Sequence, residues 1–135
     1  MHRTLLLICI SAFIISSCGK SAIRQKLSGA DEVVIGFIAQ GDSIGKTVSA
    51  AEPGAINRMI DFIEAKESDS VTVTFDGKII FNKEGKAIQE VRFAYKDESH
   101  RNFFYVLDGK QYYTKMNKEA ADFFTALATG KEIYW

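Results

Sequence analysis

The 135-residue chain has little of several things: two cysteines, two histidines, one proline, and no excess of charge, since 17 basic side chains meet 17 acidic ones. Two cysteines cannot build a disulfide-dense scaffold. With so few imidazoles, a zinc site of several histidines and cysteines is excluded by inventory. The charge balance argues against a dedicated nucleic-acid binder, which needs a basic face to displace counterions from phosphates. No apolar run approaches the roughly 20 residues that a membrane-spanning helix requires. What is present is ordinary globular material, 47% hydrophobic and 25% charged, enough for a single small domain. There is no internal repeat and no low-complexity tract.

The N-terminus is read first. Arg3 precedes an apolar run from Leu5 to Ile15 broken only by Ser11, the layout of a signal-peptide core. The run closes on Ile15-Ser16-Ser17-Cys18, where two small residues precede a cysteine. This segment resembles a bacterial lipobox. The resemblance implies cleavage between Ser17 and Cys18, diacylation of the Cys18 sulfur and a lipid anchor, with about 0.8 kcal/mol gained per buried methylene. Gly19 stands where an aspartate tends to hold a lipoprotein in the inner membrane of Gram-negative bacteria. The acidic cluster that often follows the cysteine in surface-exported lipoproteins is replaced by Gly19-Lys20-Ser21. Both point to the outer membrane, on its periplasmic face. The chain thus divides into residues 1–17 as signal, 18–31 as an acylated N-terminus and short tether, and 32–135 as one domain.

Within that domain, Val33–Ala39 reads as a strand whose Gly36 marks a bulge or a close backbone approach. Gly41-Asp42-Ser43 is a turn, and Lys46–Ala50 a second strand. Pro53 suits the first turn of a helix, and Ile56, Met59, Ile60 and Ile63 form its apolar stripe, widened by Phe62, with an end near Lys66. Val71, Val73 and Phe75 then alternate with threonines, and Ile79–Phe81 continues the pattern. Asp76-Gly77 either closes a hairpin or bulges one long strand. Ala87–Tyr95 is a further strand, with Val91, Phe93 and Tyr95 opposite Glu90 and Arg92. Asp108-Gly109 predicts a type I′ hairpin joining Asn102–Leu107 to Lys110–Lys115, with Leu107 facing Lys110 and Phe104 facing Tyr113. Asn117 caps a last helix whose stripe is Ala120, Phe123, Phe124, Leu127 and Ala128, stopped by Gly130. The predicted class is α+β: a mostly antiparallel sheet of about six strands with two helices on one face, in the order ββαββββα.

Catalytic constellations are scarce. Gly45-Lys46-Thr47 suggests a phosphate loop, but the glycine required five places earlier is Gln40, and a strand follows instead of a helix; Lys46 reads as a solvated turn-and-strand residue, and no nucleotide is expected. Any histidine-assisted nucleophile would have to use His100, which sits in the charged turn Asp97-Glu98-Ser99-His100-Arg101. The carboxylates are scattered, without the paired placement that glycoside hydrolysis needs, and no calcium-loop pattern exists. No catalytic residue, metal or cofactor is assigned, and the chain is expected not to be an enzyme.

The aromatic hairpin is the one feature with functional promise. Phe103, Tyr105, Leu107 and Tyr112 share one face; Phe104, Val106 and Tyr113 share the other and form the candidate binding face. Either this second face is open to a partner, or both faces are buried with help from Ile133-Tyr134-Trp135. The stretches Lys26-Leu27-Ser28-Gly29-Ala30-Asp31 and Leu107-Asp108-Gly109-Lys110-Gln111-Tyr112-Tyr113-Thr114-Lys115 resemble a group of small uncharacterised lipoproteins of the Bacteroidota. That resemblance sharpens source and location and carries no activity. The expected role is a membrane-anchored, non-enzymatic binding or scaffolding module for an envelope protein or glycan. The alternative is a carrier holding a lipid, glycan or other apolar compound between helices and sheet.

Overall fold

The structure, a computed structural model, describes residues 21–39, 41, 43–70, 74–133 and 135. Ser17 and Cys18 lie outside the described residues, as do Val71 and Val73. The elements in chain order are α1 (Ala22–Leu27), β1 (Glu32–Ile38), β2 (Ile44–Ala50), α2 (Pro53–Ile63), β3 (Gly77–Lys83), β4 (Lys86–Ala94), β5 (Asn102–Leu107), β6 (Lys110–Lys115) and α3 (Lys118–Ala128). They build an α+β fold with one antiparallel six-stranded sheet, ordered β2-β1-β3-β4-β5-β6. From β1 onward the order is the predicted ββαββββα.

Local chemistry explains most boundaries. Pro53 opens α2, where a missing N–H leaves no bond unmade. Asn117 accepts a 2.8 Å bond from the Ala120 N–H to cap α3, and Gly130 at φ 75° stops it in the left-handed region. Asp108 and Gly109 have φ of 51° and 77°, as a type I′ turn demands, and the pairs Leu107 with Lys110 and Phe104 with Tyr113 form as the loop length dictates. The β3–β4 turn repeats this geometry at Glu84 (φ 51°) and Gly85 (φ 77°).

Three expectations are corrected. The predicted tether contains α1: Ser21 caps it, and Ile23 and Leu27 are fully buried in the core. Two apolar residues spaced by four were enough for a one-sided helix once a neighbouring helix could receive them. Asp76-Gly77 closes no hairpin, because Gly77 is the first residue of β3 and pairs with both Phe37 and Phe93. The Asp76 carboxylate instead accepts the Tyr95 and Lys96 N–H groups at 2.8 and 3.1 Å, and Thr74 and Phe75 belong to an irregular approach to β3. Lys46 lies in the second strand as predicted but is not solvated: it is half-buried, and its Nζ donates to the Leu127 carbonyl at 2.7 Å, placing a cation at the C-terminal end of α3.

The core lies between the sheet and the helices. Phe93 stacks on Phe124 at 4.3 Å and 18°, and Phe103, Tyr95 and Phe123 surround Phe124 at 5.7 to 6.3 Å. The tail packs on this side, with Trp135 edge-on to Phe123 at 5.4 Å. The predicted close approach at Gly36 involves Gly77, since a Cβ on Gly77 would fall 2.4 Å from the Gly36 carbonyl and 2.4 Å from Phe93 Cζ. The register shift in β1 comes one residue later, between Phe37 and Ile38. Gly77→Ala is therefore expected to cost about 2 kcal/mol or more of unfolding free energy through overpacking. Gly54→Ala, whose Cβ meets nothing within 4 Å, should leave stability unchanged or raised; urea unfolding checks both.

Candidate functional site

Because side chains alternate along each strand, a residue at one register position fixes which face its cross-strand partners occupy. One such row crosses the whole sheet: Thr47, Gly36, Lys78, Arg92, Phe104 and Tyr113. It lies on the face away from the helices. The predicted binding face is thus brought together: Phe104 and Tyr113 are half-buried with ring centroids 4.9 Å apart, and Val106 is 46% exposed. Phe103, Tyr105 and Leu107 are buried on the helix side. There Tyr105 stacks on Tyr112 at 5.1 Å, and burial, reinforced by Tyr112, pushes the Tyr105 hydroxyl up to about 12.

Two features of this face were not read from the sequence. Phe75 leaves the strand pattern and stacks on Phe104 at 5.8 Å and 25°, extending the aromatic row to three rings. Beside it opens a groove of about 870 Å³ whose lining includes Ile38, Ile44, Phe75, Lys78, Glu90 and Arg92, and also Asp76 and Lys96. A second, shallower depression lies across Arg92 and Glu90 and reaches Phe104 and Val106. Deeper along the same face, Asn102 is 2% exposed, and neither amide atom has a hydrogen-bond partner among the described residues.

Lys78 and Arg92 sit directly opposite one another on β3 and β4. Like charges in that position destabilise a sheet by a few tenths of a kcal/mol, on the order of what two solvated unit charges cost at such a distance. A single carboxylate oxygen, Oε1 of Glu90, answers both, 4.0 Å from Lys78 Nζ and 3.9 Å from Arg92 Nε. Neither contact is a hydrogen bond. The Arg92 terminal nitrogens and Lys96 Nζ have no partner among the described residues. The only cue in the sequence was the placement of Glu90 and Arg92 opposite Val91 and Phe93. The cation opposite Arg92 depends on the β3–β4 register, which the Glu84-Gly85 turn starts and a one-residue shift between Phe81 and Asn82 completes; without that shift Lys78 would face Val91.

Other titratable groups serve structure. His100 Nδ1 lies 2.6 Å from an Asp97 carboxylate oxygen in an exposed 3-10 turn over Glu98–His100, and this bond holds the Asp97 carboxyl below its ordinary value. Asp61 and Glu64 do not form an acid pair. Both bind Arg24 of α1, Glu64 accepting from Arg24 Nε at 2.8 Å and also from Ser21 Oγ at 2.5 Å. Among the described residues no helix is long and apolar enough to cross a membrane. Compared with family models, curated proteins and solved structures, the chain matches none.

The Arg24 guanidinium holds the Glu64 carboxyl below the usual carboxylate range, so Glu64 contributes stability that is complete above its unfolded value, about 4.3, and is lost as pH falls through the lowered folded one. Docking of α1 should therefore loosen on acidification below about pH 4. Amide exchange across Ala22–Leu27 reads this: protection falls with acid in the natural chain, and starts lower and depends less on pH in Glu64→Gln.

Proposed function

We propose that the chain is a lipid-anchored, non-enzymatic lipoprotein of the bacterial outer membrane, held by Cys18 with its domain on the periplasmic side, and that it binds an envelope component through the helix-free face of its sheet. The observation that carries the binding part is the row Phe75, Phe104 and Tyr113, left half-buried on that face beside an open groove. Aromatic rings with one side packed and one side wet supply large contact area at low entropic cost. The anchoring part is supported by the apolar run from Leu5 to Ile15 and by Ser16-Ser17-Cys18.

The packing does not favour the alternative of a ligand held between helices and sheet, since Phe93 and Phe103 both pack on Phe124 in that space. With α1 docked, only Gly19 and Lys20 separate Cys18 from Ser21, a reach of at most about 11 Å over the three Cα–Cα steps. The lipid would thus hold the domain against the bilayer and not at the end of a long leash. The outward-facing side of the sheet would be presented by a nearly fixed mount.

Photo-crosslinking probes placed at Phe104 and Tyr113 in intact host cells should capture one reproducible envelope species, lost on Phe75→Ala, while a probe at Asp122 on α3 should not. Equal capture at all three positions would contradict the reading. Cys18→Ala should abolish acyl-chain incorporation and leave the chain unprocessed; continued lipid labelling would contradict the anchor.

A further inference from the structure

We infer that the groove beside Phe75 is a binding site for a small soluble anion, a phosphate or carboxylate borne on a flat apolar body, with Lys78 and Arg92 as its charged centre. The inference rests on the reading of the helix-free face as the binding surface and names what that surface takes.

Cation placement is the first support. Lys78 and Arg92 are cross-strand neighbours that repel, and the contacts that answer them are two long ones to a single Glu90 oxygen. Lys96 adds a third cation to the lining. Against these stand two carboxylates among the described lining residues, and Asp76 is already taken by two backbone N–H groups. An anion seated between Lys78 and Arg92 turns a repulsive pair into two attractive ones, and the Arg92 terminal nitrogens, without a partner among the described residues, match the paired oxygens of a carboxylate or phosphate.

Shape is the second. The groove's volume of about 870 Å³ lies within the range of small-ligand sites. Its walls place Phe75, Ile38 and Ile44 beside the cations, so a ligand that satisfies both needs a charged end joined to an apolar body. Position is the third. α1 packs in the helix layer, with Ile23 and Leu27 in the core and Arg24 on α2, while the groove opens on the other side of the sheet. Ser21, where α1 begins, is therefore on the far side of the sheet from the groove. Lipid headgroups of an anchoring bilayer are the poorer source, and a soluble ligand the better one.

The test is an amide-resolved NMR titration of the full chain in nonionic detergent, with phenyl phosphate, inorganic phosphate and benzyl alcohol as probes. Saturable shifts should centre on Lys78, Glu90, Arg92 and Lys96, with phenyl phosphate tightest, inorganic phosphate weaker and benzyl alcohol without effect there. Arg92→Gln and Lys78→Gln should each weaken phenyl phosphate by about tenfold, the loss expected for one charge-assisted hydrogen bond. Both variants should keep or raise the melting temperature, because each removes the cross-strand repulsion. Lys118→Gln, on exposed α3, should leave affinity unchanged. A second arm adds phosphatidylglycerol to the micelles; shifts of the same four amides before any probe is added would overturn the soluble-ligand assignment. Unchanged affinity in Arg92→Gln and Lys78→Gln, or equal weakening in Lys118→Gln, would overturn the site. Crosslinking capture at Phe104 in the natural chain, with no saturable phenyl phosphate shifts in that same chain, would leave the binding face standing and remove this inference alone.

Discussion

The stack of Phe93 on Phe124 is the contact on which the rest of the arrangement depends. Phe93 is the inward residue of a central strand, Phe124 the middle of the α3 stripe, and their 4.3 Å approach fastens that helix over β4 and β5. Around it Phe103, Phe123 and Tyr95 pack at tilted or edge-on angles, the geometries that aromatic quadrupoles favour. Every large buried ring of the hairpin thereby belongs to the helix side. α1 and α2 complete this layer, so the cover of the sheet is one-sided, and the opposite face inherits whatever alternates with the core residues.

That inheritance produces the candidate site. Alternation along β5 places Phe104 and Val106 outside because Phe103, Tyr105 and Leu107 are inside, and the same rule places Lys78 outside Ile79 and Arg92 outside Phe93. A covered face would bury these side chains at considerable cost for the two cations. An uncovered face keeps them wet. Phe75 closes only one end by stacking on Phe104, which turns a flat surface into a groove with an apolar wall and a charged floor. The close approach of Gly36 and Gly77 beneath that floor leaves no room for another side chain on Gly77.

Much of the fold was legible in the sequence, for physical reasons that can be named. Asp108-Gly109 fixes a register through two positive φ angles, Asn117 and Gly130 bound a helix through capping, and the stripe Ile56, Met59, Ile60 and Ile63 has the period of a helix with one dry side. What escaped was tertiary. α1 has only two apolar residues and is stable because α2 offers Asp61 and Glu64 to Arg24 across 37 and 40 residues of chain. Lys46 reaches Leu127 across 81 residues, beyond any local pattern. For the site, Phe104, Val106 and Tyr113 were readable from period two and one turn, whereas Phe75 was not, since its threonine-valine surroundings read as strand. The Lys78–Arg92 pair needs the β3–β4 register, which combines the Glu84-Gly85 turn, a weaker signal than Asp-Gly, with a one-residue shift between Phe81 and Asn82 that no local pattern announces.

The central claim is that the two aromatic sets do different work, the inner one holding the helices to the sheet and the outer one left available for binding. Urea unfolding of Phe124→Ala and Phe104→Ala, measured side by side, tests it most directly. The account predicts a loss of about 3 to 5 kcal/mol for Phe124→Ala, as for a phenylalanine removed from a close-packed core, and a loss near 1 kcal/mol for Phe104→Ala, whose ring is half-buried. Comparable losses in the two variants would mean that the outer rings are a second core, and would contradict it.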